Sequence, residues 1–135
     1  MLEGKVALVT GGAVRLGKAI ALGLAEQGAD VVTTYNSSAG PAKTTKAEIE
    51  ALGRRALVYQ ADFSQSTQMA PLVGKVIGAW GRLDILVNSA AIFMHGDWDD
   101  TTAENWDRHF AVNLKAPFFL SQAFARQVKA GGRRG

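Results

Sequence analysis

The chain of 135 residues contains no cysteine and only two histidines, His95 and His109. The absence of cysteine excludes disulfides, thiolate metal sites and a cysteine nucleophile. Two histidines so far apart do not suggest a metal site. No run approaches the roughly eighteen apolar residues of a membrane span. The amino terminus has no signal-peptide profile, because strand-forming residues begin almost at once and Glu3 interrupts them. Fifteen Lys and Arg stand against twelve Asp and Glu, a net charge of +3. Apart from Arg54-Arg55 and Arg133-Arg134 the basic residues are scattered. Without a basic stripe interleaved with aromatics, nucleic acid is not an expected partner. These absences predict a soluble, cytoplasmic protein with a small-molecule partner and no membrane contact.

What is present is ordinary globular composition, with 47% hydrophobic and 20% charged residues, in a length suited to one domain. Strand and helix patterns alternate. Val6–Val9 reads as a strand and is followed by a helix from about Val14 to Gln27. In that helix Leu16, Ala19, Ile20, Gly23, Leu24 and Gln27 fall on one face, and Gly28 stands where a glycine ends a helix. Asp30–Tyr35 is rich in β-branched residues and predicts a second strand, with 36–41 as loop. A helix over 42–52 and a strand over 56–60 follow. Ser64 to Thr67 are expected to cap a third helix reaching Trp80. Leu83–Val87 predicts the fourth strand, and Thr101-Thr-Ala-Glu104 a capping box. The helix after it runs towards Val128, and Pro117 should kink or divide it.

Such alternation predicts an α/β fold, a parallel sheet with right-handed crossovers and helices on both faces. Ligands bind such sheets beyond the carboxyl ends of the strands, where the polar breaks after Val9, Tyr35, Gln60 and Val87 all fall.

Thr10-Gly11-Gly12-Ala-Val14-Arg15-Leu16-Gly17 joins the first strand to the first helix. A glycine turn at a helix N-terminus makes an anion site, because unpaired N–H groups point outward and no Cβ blocks approach. Arg15 adds a planar cation suited to phosphate. An acidic residue at the end of the second strand would bind a ribose 2′-OH and repel a 2′-phosphate. This chain has Tyr35-Asn36-Ser37-Ser38 there, donors without a carboxylate, which with Arg15 favours NADP(H) over NAD. Asp62 either accepts from an adenine amino group or caps the following turn. Asn88 either ties strands together or touches the ribose. Asn113 can equally satisfy backbone groups left free near Pro117, and Phe93 can equally be core.

The glycine segment, Asp62, Gly81-Arg-Leu-Asp-Ile-Leu-Val-Asn88-Ser89-Ala90 and Val112-Asn113-Leu114 together resemble the short-chain dehydrogenase/reductase family in order and spacing, over essentially the whole chain. The resemblance implies a Rossmann-type doubly wound NAD(P)-binding fold, here its N-terminal part of about four strands in the order 3-2-1-4, and hydride transfer to or from a carbonyl, imine or related group. By motif position, Gly11, Val14, Arg15, Leu16 and Gly17 would line the pyrophosphate and adenosine side. Asn36, Ser37 and Ser38 would meet the 2′-phosphate, and Asp62 and Phe63 would border adenine. Asn88, Ser89 and Ala90 would adjoin the ribose, and Asn113 would be the asparagine of the catalytic tetrad. Arginine in place of the family's middle glycine resembles the pteridine-reductase branch, whose cofactor is NADPH. In that branch the phenylalanine at the position of Phe93 stacks on a pterin substrate. Relatives imply a homo-tetramer or homo-dimer.

The family's general acid is the tyrosine of a Tyr-x-x-x-Lys motif. This sequence has only Tyr35 and Tyr59, followed four residues on by Ala39 and Phe63. Neither fits the motif. The expectation is therefore a single NADP(H)-binding domain over 1–135 that lacks its carboxy-terminal catalytic half and is inactive alone, with the fifth strand due where 131–135 lie. The helix surface of Phe118, Phe119, Leu120 and Phe124 would then lack partners. The competing expectations are a non-catalytic NADP(H)-binding module and a fragment that docks another chain.

Overall fold

The computed structural model describes residues 1–132, so Arg133, Arg134 and Gly135 lie outside the described residues. Four parallel strands, β1 (Val6–Thr10), β2 (Asp30–Tyr35), β3 (Ala56–Gln60) and β4 (Ile85–Asn88), form one sheet in the order β3-β2-β1-β4. The predicted Rossmann-type order is the one observed. The β1–β2 register pairs Val6 with Asp30 and Val9 with Thr33, while β1–β4 pairs Ala7 with Ile85 and Thr10 with Asn88. All four strands therefore end on one edge, and the loops leaving them share it.

Both faces of β1 are buried, so Val6–Val9 is a continuous apolar run without alternation, and the strand ends on the buried Thr10. Its neighbours still divide by side. Val6 and Leu8 join a core with Phe63, Met69, Leu72, Val76 and Leu83. Val9 joins Ala21, Ala25, Val31 and Ile49 on the other face. The first core lies under α3 (Met69–Trp80) and α5 (Ala116–Ala130), the second under α1 (Arg15–Glu26) and α2 (Ala39–Ala51). Leu120 is buried and Phe124 packs against the first core, so only Phe118 and Phe119 of that expected apolar surface are exposed.

Several boundaries differ from the sequence reading, each for a local reason. α2 starts at Ala39, three residues before the expected 42, and carries Pro41 in its first turn. Proline is harmless there, because the N–H it lacks would have no intrahelical partner. The Ser64–Thr67 region forms a short 3₁₀ turn (Ser66–Gln68) ahead of α3, with no side-chain cap on either element. The cap of α4 (Ala103–Phe110) is Thr102, whose Oγ1 accepts the Asn105 N–H at 3.1 Å. Thr101, the expected cap, instead donates to the Asp97 carbonyl at 2.8 Å. Between α4 and α5 the chain makes a π turn, Ala111–Lys115. Pro117 lies just beyond it in the first turn of α5, so the expected bend is a division into two helices.

Candidate functional site

A groove of about 340 Å³ opens at the carboxyl edge of the sheet. Its floor is the turn from β1 into α1, and two glycines there are dictated by close approach. Gly11 has φ +64, and a Cβ on it would lie 2.9 Å from the Ala90 Cα. A Cβ on Gly17 would lie 2.2 Å from the Gly11 carbonyl oxygen, a backbone atom with no room to move. The glycines thus fold the turn against itself and against the loop after β4.

Threonine hydroxyls hold this turn to its neighbours. Thr10 Oγ1 accepts the N–H groups of Ser89 and Ala90, each at 3.1 Å. Thr34 Oγ1 accepts the Gly11 N–H at 3.0 Å. Thr45, wholly buried on α2, donates to the Ala13 carbonyl at 2.8 Å. The sequence reading assigned none of these roles. The available signal was hydroxyl residues in otherwise apolar buried positions, which need partners.

Two helix N-termini open on the groove. Val14 and Ser38, the N-cap residues of α1 and α2, both line it. No side chain caps either helix, and neither first turn holds an acidic residue. Their free N–H groups and positive dipole ends therefore face the same space. The early start of α2 at Ala39 is what brings its N-terminus there.

Arg15 is the one charged side chain among the described residues lining the groove, and it enters no ion pair among the described residues. It also sits at φ +52, in the left-handed region that L residues rarely occupy. Its backbone is thus strained while its guanidinium is exposed and unpaired. A strained residue at the mouth of a groove is a functional signature when its side chain has work there.

Of the residues proposed from sequence, Gly11, Val14, Arg15, Leu16, Gly17, Asn36, Ser37, Ser38, Phe63, Ser89 and Ala90 all line this groove. Four others do not. Asn88 donates from Nδ2 to Ser121 Oγ at 3.2 Å, tying β4 to α5. Asp62 Oδ1 accepts both the N–H (3.0 Å) and the hydroxyl (2.7 Å) of Ser64. These two bonds hold its carboxyl below the ordinary aspartate range. Asn113, in the π turn, bonds the backbone of Ile92 in both directions. Phe93 is 82% exposed, so it is not a core residue.

A larger open cavity of about 890 Å³ lies beside α4 and α5, lined by Asp62, Ser64, Glu104, Asp107, Arg108, Leu114 and Phe118 among others. The N-terminus of α4, whose Glu104 lines this cavity, is capped by Thr102 and already carries that glutamate in its first turn. Electrostatics therefore favour the smaller groove for an anionic ligand. Among the described residues no cluster of His, Asp and Glu could hold a metal ion, and no helix is long and apolar enough to cross a membrane.

A parallel sheet with a glycine turn, two uncapped helix N-termini and one unpaired cation at its carboxyl edge defines a dinucleotide-binding domain. Residues 5–135 match the model of the short chain dehydrogenases, and the chain belongs to that family. It is 38% identical over 135 residues to an L-rhamnose 1-dehydrogenase (NAD(P)(+)) of Sphingomonas, covering 100% of this chain and 53% of that protein. A short chain dehydrogenase of Burkholderia cenocepacia, solved in complex with NADP, superposes with a TM-score of 0.91 at 49% identity. That match covers 93% of this chain and 51% of the other. A blue fluorescent protein from a metagenomic library, in complex with NADPH, gives 0.88 at 40% identity, covering 93% and 51%. The chain thus spans about half the length of the relatives it matches. None of these three is named for a pterin.

Proposed function

We propose that this chain is the cofactor-holding part of an NADPH-dependent oxidoreductase acting on a carbonyl or imine. The observation that carries this is the meeting of Arg15 with two uncapped helix N-termini in a groove whose described lining contains no carboxylate. The residues present fit a dinucleotide with an extra phosphate. The Gly11–Gly17 turn and the α1 N-terminus suit the pyrophosphate. Arg15, Asn36, Ser37 and the Ser38 end of α2 suit the 2′-phosphate, and an acidic residue that would reject it is absent from the end of β2. Phe63 borders the adenine position with Asp62 behind it, and Ser89 and Ala90 adjoin the ribose, with Asn88 held nearby on Ser121. Bound NADPH supplies hydride; this chain's residues bind it, orient it and shape the wall beside it.

Hydride addition to a carbonyl develops alkoxide charge that needs a proton donor, and a positioned acid contributes typically ~10²–10⁴-fold. Tyr35 and Tyr59 are not followed by the lysine of the family motif. The expected outcome is saturable NADPH binding by this chain with NADPH oxidation at most residual, followed at 340 nm against a panel of carbonyls, imines and a pterin. Failure to bind NADPH would contradict the proposal. Efficient oxidation would show that another group donates the proton. The narrower pterin reading rests on Arg15 and Phe93 and requires that the pterin alone be turned over. A second reading is a non-catalytic NADP(H)-binding module, which predicts tight NADPH binding with no turnover at all. A homo-dimer or homo-tetramer through the helices around Asn113 belongs to the oxidoreductase reading as well.

A further inference from the structure

The wall of the groove formed by Ala90, Ala91 and Ile92 continues into a loop that ends at α4. Two side chains one helical turn apart hold its start. Asn113 Oδ1 accepts the Ile92 N–H and its Nδ2 donates to the Ile92 carbonyl, both at 2.8 Å. Four residues earlier, His109 Nε2 lies 3.0 Å from the Met94 backbone nitrogen, and Nδ1 lies 2.7 Å from the Asn105 carbonyl oxygen.

We propose that His109 is a positioning residue: as a neutral imidazole it holds the Met94 amide and, with Asn113, clamps Ile92–Met94, the segment that continues the groove wall outward from Ile92. The two partners fix its state. A carbonyl oxygen only accepts, so Nδ1 carries the proton. A backbone N–H only donates, so Nε2 presents its lone pair. Ile92 and Met94 are alternate residues, so two contacts one helical turn apart pin two points of one short segment. Phe93 lies between the anchors, exposed at the rim, with its ring edge-on to His95 at 5.1 Å between centroids. That this wall borders a dinucleotide rests on the function proposed above; the clamp itself does not.

Protonation would turn Nε2 into a donor facing another donor, so the Met94 contact exists only with the ring neutral. The groups facing the imidazole are the Asn105 carbonyl on its own helix and the Met94 amide across from it. His95 in the loop packs on Phe93, and Glu104, Asp107 and Arg108 of α4 line the larger cavity. Asp97 and Asp100 are joined within the loop by the Asp97 N–H bond to Asp100 Oδ1, at 2.7 Å. His109 enters no ion pair among the described residues.

Amide hydrogen exchange of the chain, read residue by residue in wild type and variants and corrected for intrinsic rates, tests this. In His109→Phe, which removes the acceptor, Met94 protection is expected to fall at least about tenfold, while Ile92, held by Asn113, keeps its protection. His109→Gln, whose amide oxygen accepts the same N–H, should hold Met94 as the wild type does. If His109→Phe leaves Met94 protection intact, or His109→Gln loses it as fully as His109→Phe does, the clamp is refuted. Should His109→Phe also expose Ile92, the wild-type and glutamine pair decides. NADPH titrated into the same wild-type sample separates the two claims: no binding overturns the cofactor reading, and Met94 protection indifferent to His109→Phe overturns the clamp.

Discussion

Replacing Arg15 by alanine is expected to weaken NADPH binding by about 10- to 100-fold and to change NADH binding by less than about twofold. Charge-assisted hydrogen bonds are worth about 1.5–3 kcal/mol, and Arg15 is the single charged side chain among the described residues lining the groove. No second cation among the described residues lines it. NADH lacks the phosphate that Arg15 would meet, so its affinity should be nearly unaffected. Arg15→Gly separates function from strain. At φ +52 a side chain costs roughly 1–2 kcal/mol that glycine does not incur. The glycine variant should therefore gain about 2–6 °C in Tm while losing NADPH as the alanine variant does. Calorimetric titration with both nucleotides and a thermal melt read the two effects. An Arg15→Gly protein that is no more stable would remove the strain argument, and unchanged NADPH affinity would remove the 2′-phosphate site.

Gly17→Ala is expected to be more severe. Its Cβ would sit 2.2 Å from the Gly11 carbonyl oxygen and 3.1 Å from the Gly12 Cα, so the new methyl meets backbone rather than a side chain that can turn aside. Relief requires moving the whole turn from β1. Overpacking of this kind costs about 1–3 kcal/mol. The turn that moves also carries the N–H groups of the cofactor site, so NADPH affinity should fall by more than about 100-fold. Gly23→Ala is the matching control, since nothing lies within 4 Å of its Cβ position in the same helix. It should be neutral or slightly stabilising, because alanine is the better helix former. Equal behaviour of the two variants in melts and nucleotide titrations would show that the close approach at Gly17 does not matter.

The elements were legible because each declares itself locally. The strands are apolar or β-branched runs of 4–6 residues, and glycines follow α1 at Gly28, α2 at Gly53 and α3 at Gly81, all with positive φ. Alternation of strand and helix then allows few topologies, and the observed order is the expected one. The start of α2 is not legible, because Gly40-Pro41 signals a loop from composition, while in a first helical turn proline breaks nothing. The second helix N-terminus at the groove, a feature that strengthens the 2′-phosphate reading, is therefore visible only in the structure. The threonine bonds at Thr10, Thr34 and Thr45 join residues 23 to 80 positions apart, or in the last case 32, so no local pattern announces them. The π turn at Ala111–Lys115 and the double bond from Asn113 to Ile92 are likewise tertiary. Residue type and spacing could raise Asn113 but could not say what it holds.

The central claim is that this groove selects the nucleotide bearing a 2′-phosphate. The most direct measurement is the ratio of dissociation constants for NADPH and NADH on the unaltered chain, determined by calorimetry in one buffer at one ionic strength. The account predicts that NADPH binds at least about tenfold more tightly, a difference of roughly 1.4 kcal/mol or more. Equal affinity, or a preference for NADH, would contradict it.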